Sequence, residues 1–361
     1  MKKILCLIDG LGSGGAERQM VGLAILLKQK GYCVDLVSYH QDKSFYVPLA
    51  QQGGINPVIL QVEESRWSKI KAIRHFIKKK GGYDSIIAYK EGPNAIMCLL
   101  KMIGLRGKLI VSERNTDSKV GGKRNYFRLF RFADYVVPNA NAQGEFLSIN
   151  FPWMNKKIVP INNFTDTEFF VPKDNYQSGN FRILTVARIA CQKNILKYLD
   201  AIALLKERGL KNVHFDWYGN TEIGQDCYVQ ECVDRIKELG LEEIFEFHNA
   251  TPEILKHYQS CDLFCLPSSY EGFPNVVCEA MSCGKPIVCS RVCDNERIVS
   301  EGNNGLLFDP NNVEDIADKL MQMINMPQGQ RDQWGRKSRE IAVDLLSEES
   351  FVNKYISLIE Q

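Results

Sequence analysis

Two carboxylates stand in the stretch "SSYEGFPNVVCEAMSCGKPIVCS", Ser268 to Ser290: Glu271 just before an apparent helix and Glu279 inside it. Glu271 is hemmed in by Tyr270, Gly272, Phe273 and Pro274, and Glu279 follows the apolar run Val276, Val277, Cys278. Pro274 fits the first turn of a helix, where a missing N–H leaves no bond unmade. The amides of Asn275 and Val276 would then be free for an anion, as unpaired N–H groups at helix starts are. Glu271 outside that start could accept hydrogen bonds from hydroxyls beside the anion, and Glu279 could reach a vicinal diol such as a ribose. A second set of charges complements this one. In "VARIACQKNILKYLDA", Arg188 ends a strand and Lys193 stands just ahead of a helix. A forked guanidinium and a compact ammonium suit a diphosphate; two solvated surface charges are the plainer reading. A third set is "DGLGSGGAER", where Gly14 and Gly15 close a glycine-rich turn between a strand and a helix. It is either a structural turn or a place for backbone amides to approach an anion; Gly10, Gly12, Gly14 and Gly15 do not have the dinucleotide-binding spacing.

These residues need elements to position them. "KKILCLI", "GLGSGGAERQMVGLAILLKQKGY" and "CVDLVSY" read as strand, turn and helix, strand, and the alternation continues through "YDSIIAY", "KLIVSE" and "ADYVVPNA". Apolar strands alternating with helices predict parallel sheets covered on both faces. After a polar segment from about Thr165 to Asn180 the pattern restarts with "FRILTVARI", "VHFDWYG", "IFEFHN", "LFCLPSS", "PIVCS" and "GLLFD". With 361 residues, two domains are expected, 1–165 and 166–361. Such sheets bind ligands beyond the carboxyl ends of their strands, so a cleft between two of them is the expected site.

The opening "MKKILCLIDG" reads as a first strand rather than a signal peptide, and no apolar run is long enough to span a bilayer. Twelve cysteines with no secretory signal predict a reducing compartment and small buried thiols. A metal site is not expected, because paired CxxC elements and DxD are absent and the five histidines are scattered. The net charge of +2 hides an asymmetry: residues 1–165 hold 25 Lys+Arg against 12 Asp+Glu, and the remainder 20 against 31. In the basic half, "RWSKIKAIRHFIKKKGGY" sets Trp67, Ile70, Ile73, Phe76 and Ile77 at helical spacing among Arg66, Lys69, Lys71, Arg74 and Lys78–Lys80. Such a helix either packs on its own sheet or lies on an anionic membrane surface. Phe127, Phe130 and Phe132 among Lys123, Arg124, Arg128 and Arg131 add to the second reading. Nucleic acid is not an expected partner, since no binding module accompanies the charge.

"YEGFPNVVCEAMSCGKPIV" resembles the E-x7-E signature of the retaining GT4 glycosyltransferases. "GGAER" is similar to their N-terminal glycine loop, "VARIACQKN" to their donor-phosphate Arg and Lys, and "NNGLLFDPNNVEDIADKL" to their closing strand and helix. "SERN" (Glu113, Arg114, Asn115) is similar to members that extend lipid-linked oligosaccharides or bacterial surface polysaccharides, although the histidine other members carry near that point is absent. The resemblance implies a GT-B fold, two Rossmann-like domains facing across a cleft, with a final helix (about 346–361) packed back on the first. It implies transfer, with retention, of a hexosyl or N-acetylhexosaminyl group from a nucleotide sugar, by preference a UDP-sugar, to a hydroxyl of a lipid-linked glycan. Arg188, Lys193 and Glu271 would be catalytic. Gly14, Gly15, Asn249, Gly272, Phe273, Pro274, Asn275, Val276 and Glu279 would join those three around the donor. No cofactor or metal is implied, and the enzyme would work in the cytoplasm, peripheral to the inner membrane face. The rivals are a noncatalytic nucleotide-sugar sensor and another GT-B enzyme, an epimerase or a phosphorylase.

Overall fold

The computed structural model describes residues 1–114, 123–173, 179–222 and 224–361. The chain divides into two compact units, 1–164 with 348–361, and 165–347. In the first unit, strands β1 (Lys3–Leu7), β2 (Cys33–Ser38), β3 (Val58–Ile59), β4 (Ser85–Tyr89), β5 (Lys108–Ser112) and β6 (Tyr135–Val136) form one parallel sheet in the order β3-β2-β1-β4-β5-β6. In the second, β7 (Phe181–Val186), β8 (Val213–Tyr218), β9 (Phe245–His248), β10 (Leu263–Leu266), β11 (Ile287–Ser290) and β12 (Gly305–Phe308) take the order β12-β11-β10-β7-β8-β9. Both orders are the doubly wound one, in which the chain starts at the centre, winds to one edge, and returns to wind to the other. The turning points lie between β1 and β4 and between β7 and β10, where such sheets open a crevice at their carboxyl ends.

The apolar runs read as strands are those that go inside. β4 and β10 are buried along their whole length, as expected where helices cover both faces. The C-terminal helix, Glu348–Glu360, buries Phe351, Val352, Tyr355, Leu358 and Ile359 in the core of the first unit. All twelve cysteines are free thiols and eight are buried. Burial pushes the Cys6 and Cys265 thiols up to about 12, which leaves them inert fillers of the core. Among the described residues no helix is long and apolar enough to cross a membrane.

The basic helix, Arg66–Lys79, is capped by Ser65, whose hydroxyl accepts from the Ser68 amide at 3.1 Å. It buries Ile73 and Ile77, half-buries Ile70 and Phe76, and leaves Trp67 73% exposed. The aromatic residues farther on behave differently. Phe127 and Phe130 are fully buried, so the expectation that they would join a membrane-facing surface is overturned: they pack edge-on in the core, 5.8 Å between ring centres.

Candidate active site

In the second unit the loops after β7 and β10 meet at the turning point of the sheet. Gly219, after β8, lies so close to the Ala187 carbonyl that a Cβ there would collide with it, which lets the backbone carrying Arg188 run tight against β8. Arg188 itself reaches outward, 58% exposed, and donates to Glu222 at 2.5 Å. Lys193 ends a single turn of 3-10 helix, and Asn194, in the left-handed conformation at φ 57°, starts the Ile195–Glu207 helix. Asparagine tolerates that conformation better than most residues, and its side chain is tied to the Pro310 carbonyl at 2.7 Å.

Lys193 is buried, and its Nζ donates to Glu271 Oε1 at 2.6 Å. The Ser268 hydroxyl donates to the same oxygen at 2.6 Å. Two backbone ties fasten the loops together: Ser269 N–H to the Gln192 carbonyl at 2.9 Å, and the Gln192 side-chain amide to the Tyr270 carbonyl at 2.8 Å. A buried pair of this kind is costly to break from one side, because the charge left behind is unpaired in a poorly solvated place.

The start of the following helix departs from expectation. Pro274 directly precedes the Asn275–Ser282 helix rather than lying in its first turn, and its φ of −82° and ψ of 71° are those of an inverse γ-turn. That turn closes a bond from the Asn275 amide to the Phe273 carbonyl at 3.0 Å, so the Asn275 amide is engaged by its own chain and is not free for an anion. Phe273 is buried beneath the turn and Gly272 is half-buried. Glu279 is buried, and one of its oxygens accepts from the Tyr258 hydroxyl at 3.0 Å. Burial, then the neighbouring carboxylate, hold the Tyr258 phenol well above its ordinary range, so it stays a donor. Asn249 is exposed at the end of the edge strand β9, two strands from the turning point.

The first unit has its own turning-point cluster, which the sequence reading did not single out beyond its glycines. Gly14 precedes the Gly15–Gln29 helix with no side-chain cap, and a Cβ there would run into the Glu17 carboxylate. Glu17 is held by Lys90, whose Nζ lies 2.7 Å from it and 3.1 Å from Asp9. Lys90 follows β4 with φ at +76° and ψ at 164°, a conformation that costs a non-glycine residue about 1–3 kcal/mol. Burial alone would depress its ammonium, but Glu17 and Asp9 outweigh that and raise it.

Glu113 and Arg114 are buried structural ties. Glu113 accepts from the Tyr126 hydroxyl at 2.8 Å, and Arg114 stacks 3.6 Å over the Tyr89 ring and donates to Asn163 at 2.7 Å. Asn115 lies outside the described residues. The scattered histidines do not stay scattered: the ligand atoms of His214, Asp216 and Glu246 lie within 4.8 Å of one another on β8 and β9, away from the Lys193–Glu271 pair in sequence and in strand.

Two parallel six-stranded sheets of Rossmann order, flanked by helices, define the GT-B class of fold. HepE of Anabaena, solved in complex with UDP, superposes with a TM-score of 0.87 at 21% identity over 100% of both chains. Residues 166–341, most of the second unit, match the family model of glycosyl transferases group 1, and that unit belongs to this family. It is similar over 90% of its length, at 27% identity, to the N-acetylgalactosamine-N,N'-diacetylbacillosaminyl-diphospho-undecaprenol 4-alpha-N-acetylgalactosaminyltransferase of Campylobacter jejuni, 90% of which is covered. It is similar at 27% identity, over 80% of both chains, to the amylovoran biosynthesis glycosyltransferase AmsD of Erwinia amylovora.

Proposed function

We propose that the chain transfers a hexosyl or N-acetylhexosaminyl group, with retention, from a UDP-sugar to a hydroxyl of a lipid-linked glycan in surface polysaccharide biosynthesis. The observation that carries this reading is the buried Lys193–Glu271 pair at the turning point of the second sheet, with Arg188 on the same loop. Each cation rests on a carboxylate that a diphosphate could replace. When the donor takes Lys193 and Arg188, Glu271 is released to accept from sugar hydroxyls and Glu222 returns to water. Negative charge grows on the departing diphosphate as the glycosidic bond breaks, so both cations hold the transition state more tightly than the ground state. Glu279, oriented by Tyr258, accepts from the ribose. Retention follows if the acceptor attacks the face the diphosphate leaves, with the leaving phosphate taking the acceptor's proton. The chemistry needs no metal, because Arg188 and Lys193 supply the positive charge.

The relatives' names support the acceptor class: that of the Campylobacter enzyme states a diphospho-undecaprenol acceptor. The first unit receives this acceptor at the cytoplasmic face of the membrane. Exposed Trp67 supports that placement, as does a hollow of about 500 Å³ lined by Lys3, Arg74, Lys78 and Arg106 with Ile77, Leu100, Ile103 and Leu105. The test is incubation with a panel of nucleotide sugars. Slow hydrolysis of one UDP-sugar, unchanged by EDTA, is the expected result. Binding without any turnover would mean a sensor, and complete loss in EDTA restored by Mg²⁺ or Mn²⁺ would mean a metal in the reaction.

A further inference from the structure

Strand β8 carries an anomaly. Its odd positions, Val213, Phe215 and Trp217, are the buried apolar residues a covered sheet requires. Its even positions are His214, Asp216 and Tyr218, and the register sets Arg182 of β7 beside His214, and Glu246 and His248 of β9 beside Asp216 and Tyr218. Asp216 is only 4% exposed. Its two oxygens have different company. Arg182 donates to Oδ2 through Nε at 3.1 Å and Nη2 at 2.7 Å. Oδ1 faces two imidazoles, His248 Nε2 at 2.8 Å and His214 Nε2 at 3.6 Å. The first is a hydrogen bond; the second is too long to be one. Glu246 Oε2 stands 4.0 Å from His214 Nε2 and 3.7 Å from His248 Nε2.

We propose that His214 Nε2, Asp216 Oδ1, Glu246 Oε2 and His248 Nε2 form a binding site for a divalent transition-metal ion of the zinc class, separate from the donor site. A tetrahedral site with bonds of about 2.0–2.1 Å has ligand atoms about 3.3 Å apart. Four of the six separations among these atoms, 2.8, 3.6, 3.7 and 4.0 Å, bracket that value, and the atoms of His214, Asp216 and Glu246 all lie within 4.8 Å of one another. Two imidazoles with two carboxylates suit zinc, cobalt or nickel and not magnesium or calcium, which prefer oxygen alone. The surroundings orient the ligands: Arg182 holds the far oxygen of Asp216, and the Tyr218 ring stacks on His248 at 4.3 Å and 16°. Arg182 cancels one of the two carboxylate charges and leaves the site net negative. Ion entry replaces the direct hydrogen bond between His248 Nε2 and Asp216 Oδ1.

The test uses the full chain without a histidine tag, stripped with EDTA and dialysed, then titrated with Co²⁺ and followed by calorimetry and visible absorption. One equivalent should bind, with weak bands and no thiolate-to-metal charge transfer, since Cys33, Cys191 and Cys227 are exposed and would announce themselves. Replacing an outer-sphere partner of a metal typically costs 10–100-fold, so losing two ligands in His214→Ala/His248→Ala should cost at least about 100-fold. Glu246→Ala, at a position 60% exposed and safe for folding, should also weaken binding. His75→Ala, an exposed histidine of the other unit, should bind as the parent does. No Co²⁺ uptake by the parent, equal uptake by the double variant, or a thiolate spectrum would overturn the site. UDP-sugar hydrolysis should survive in both ligand variants, so failure here leaves the donor-site reading standing and the reverse also holds.

Discussion

The two sheets share one strand order, yet neither turning point carries the charge of the unit around it. Residues 1–165 are strongly basic, but their turning point centres on two carboxylates, Asp9 and Glu17, sharing one ammonium, Lys90. The acidic remainder instead presents two cations, Arg188 and Lys193, each with a carboxylate of its own. A lysine shared between two carboxylates cannot be lured away by an incoming anion without stranding both. Two separately paired cations can each be taken. Under the proposed function, local arrangement and not the charge of the domain is what would send the diphosphate to the second unit and leave hydroxyls to the first.

The comparison breaks most visibly at Lys193. Lys193→Ala should lower turnover by on the order of 10² or more. It should also destabilise the fold by about 3–5 kcal/mol, because Glu271 is left buried without its partner. Arg188→Ala should match it in turnover but leave thermal stability nearly untouched, since its pair with Glu222 is largely in water. Near-normal turnover in folded protein with either change would end the assignment. At the other turning point, Lys90→Gly should relieve backbone strain yet separate Asp9 and Glu17. The expected result is a raised acceptor KM with donor hydrolysis spared; an equal loss of donor hydrolysis would erase the distinction between the units. Glu279→Gln should weaken nucleotide binding by about 1.5–3 kcal/mol, the worth of a hydrogen bond to a charged group, measured by calorimetry. The smallest effect belongs to the surface. Replacing Arg74, Lys78 and Lys79 by glutamate should release the protein from anionic liposomes, and the parent's binding should fade as salt shortens the ~8 Å screening length. Lys80 is left in place because it is paired with Asp35 at 2.9 Å. Equal sedimentation of variant and parent would return the Arg66–Lys79 helix to a purely structural role.

Much of the fold could be read along the chain because strands buried on both faces announce themselves as apolar runs, "SIIAY" and "LFCL" among them. The site could be read as a set of residue types and not as a set of partners. Lys193 and Glu271 are 78 residues apart and become neighbours only because β7 pairs with β10. The same holds for the imidazoles: His214 and His248 look scattered until the β8–β9 register sets Tyr218 against His248. Helix-start rules leave the Asn275 amide free because they treat proline as a neutral beginning, whereas Pro274 closes a γ-turn that uses that amide. Periodicity put Trp67 on the apolar stripe correctly in angle, but angle does not say whether the sheet extends under the first turn.

The crossed ties between Gln192 and the Ser269–Tyr270 backbone bear on how this protein could be recombined. A segment exchange that imports a foreign "SSYEGFPNVVCE" would bring a loop whose backbone expects a glutamine in the 3-10 turn after another strand. The exchangeable module is therefore discontinuous: residues 187–194 and 268–279 travel together, and either piece swapped alone would arrive without the ties that hold it in place.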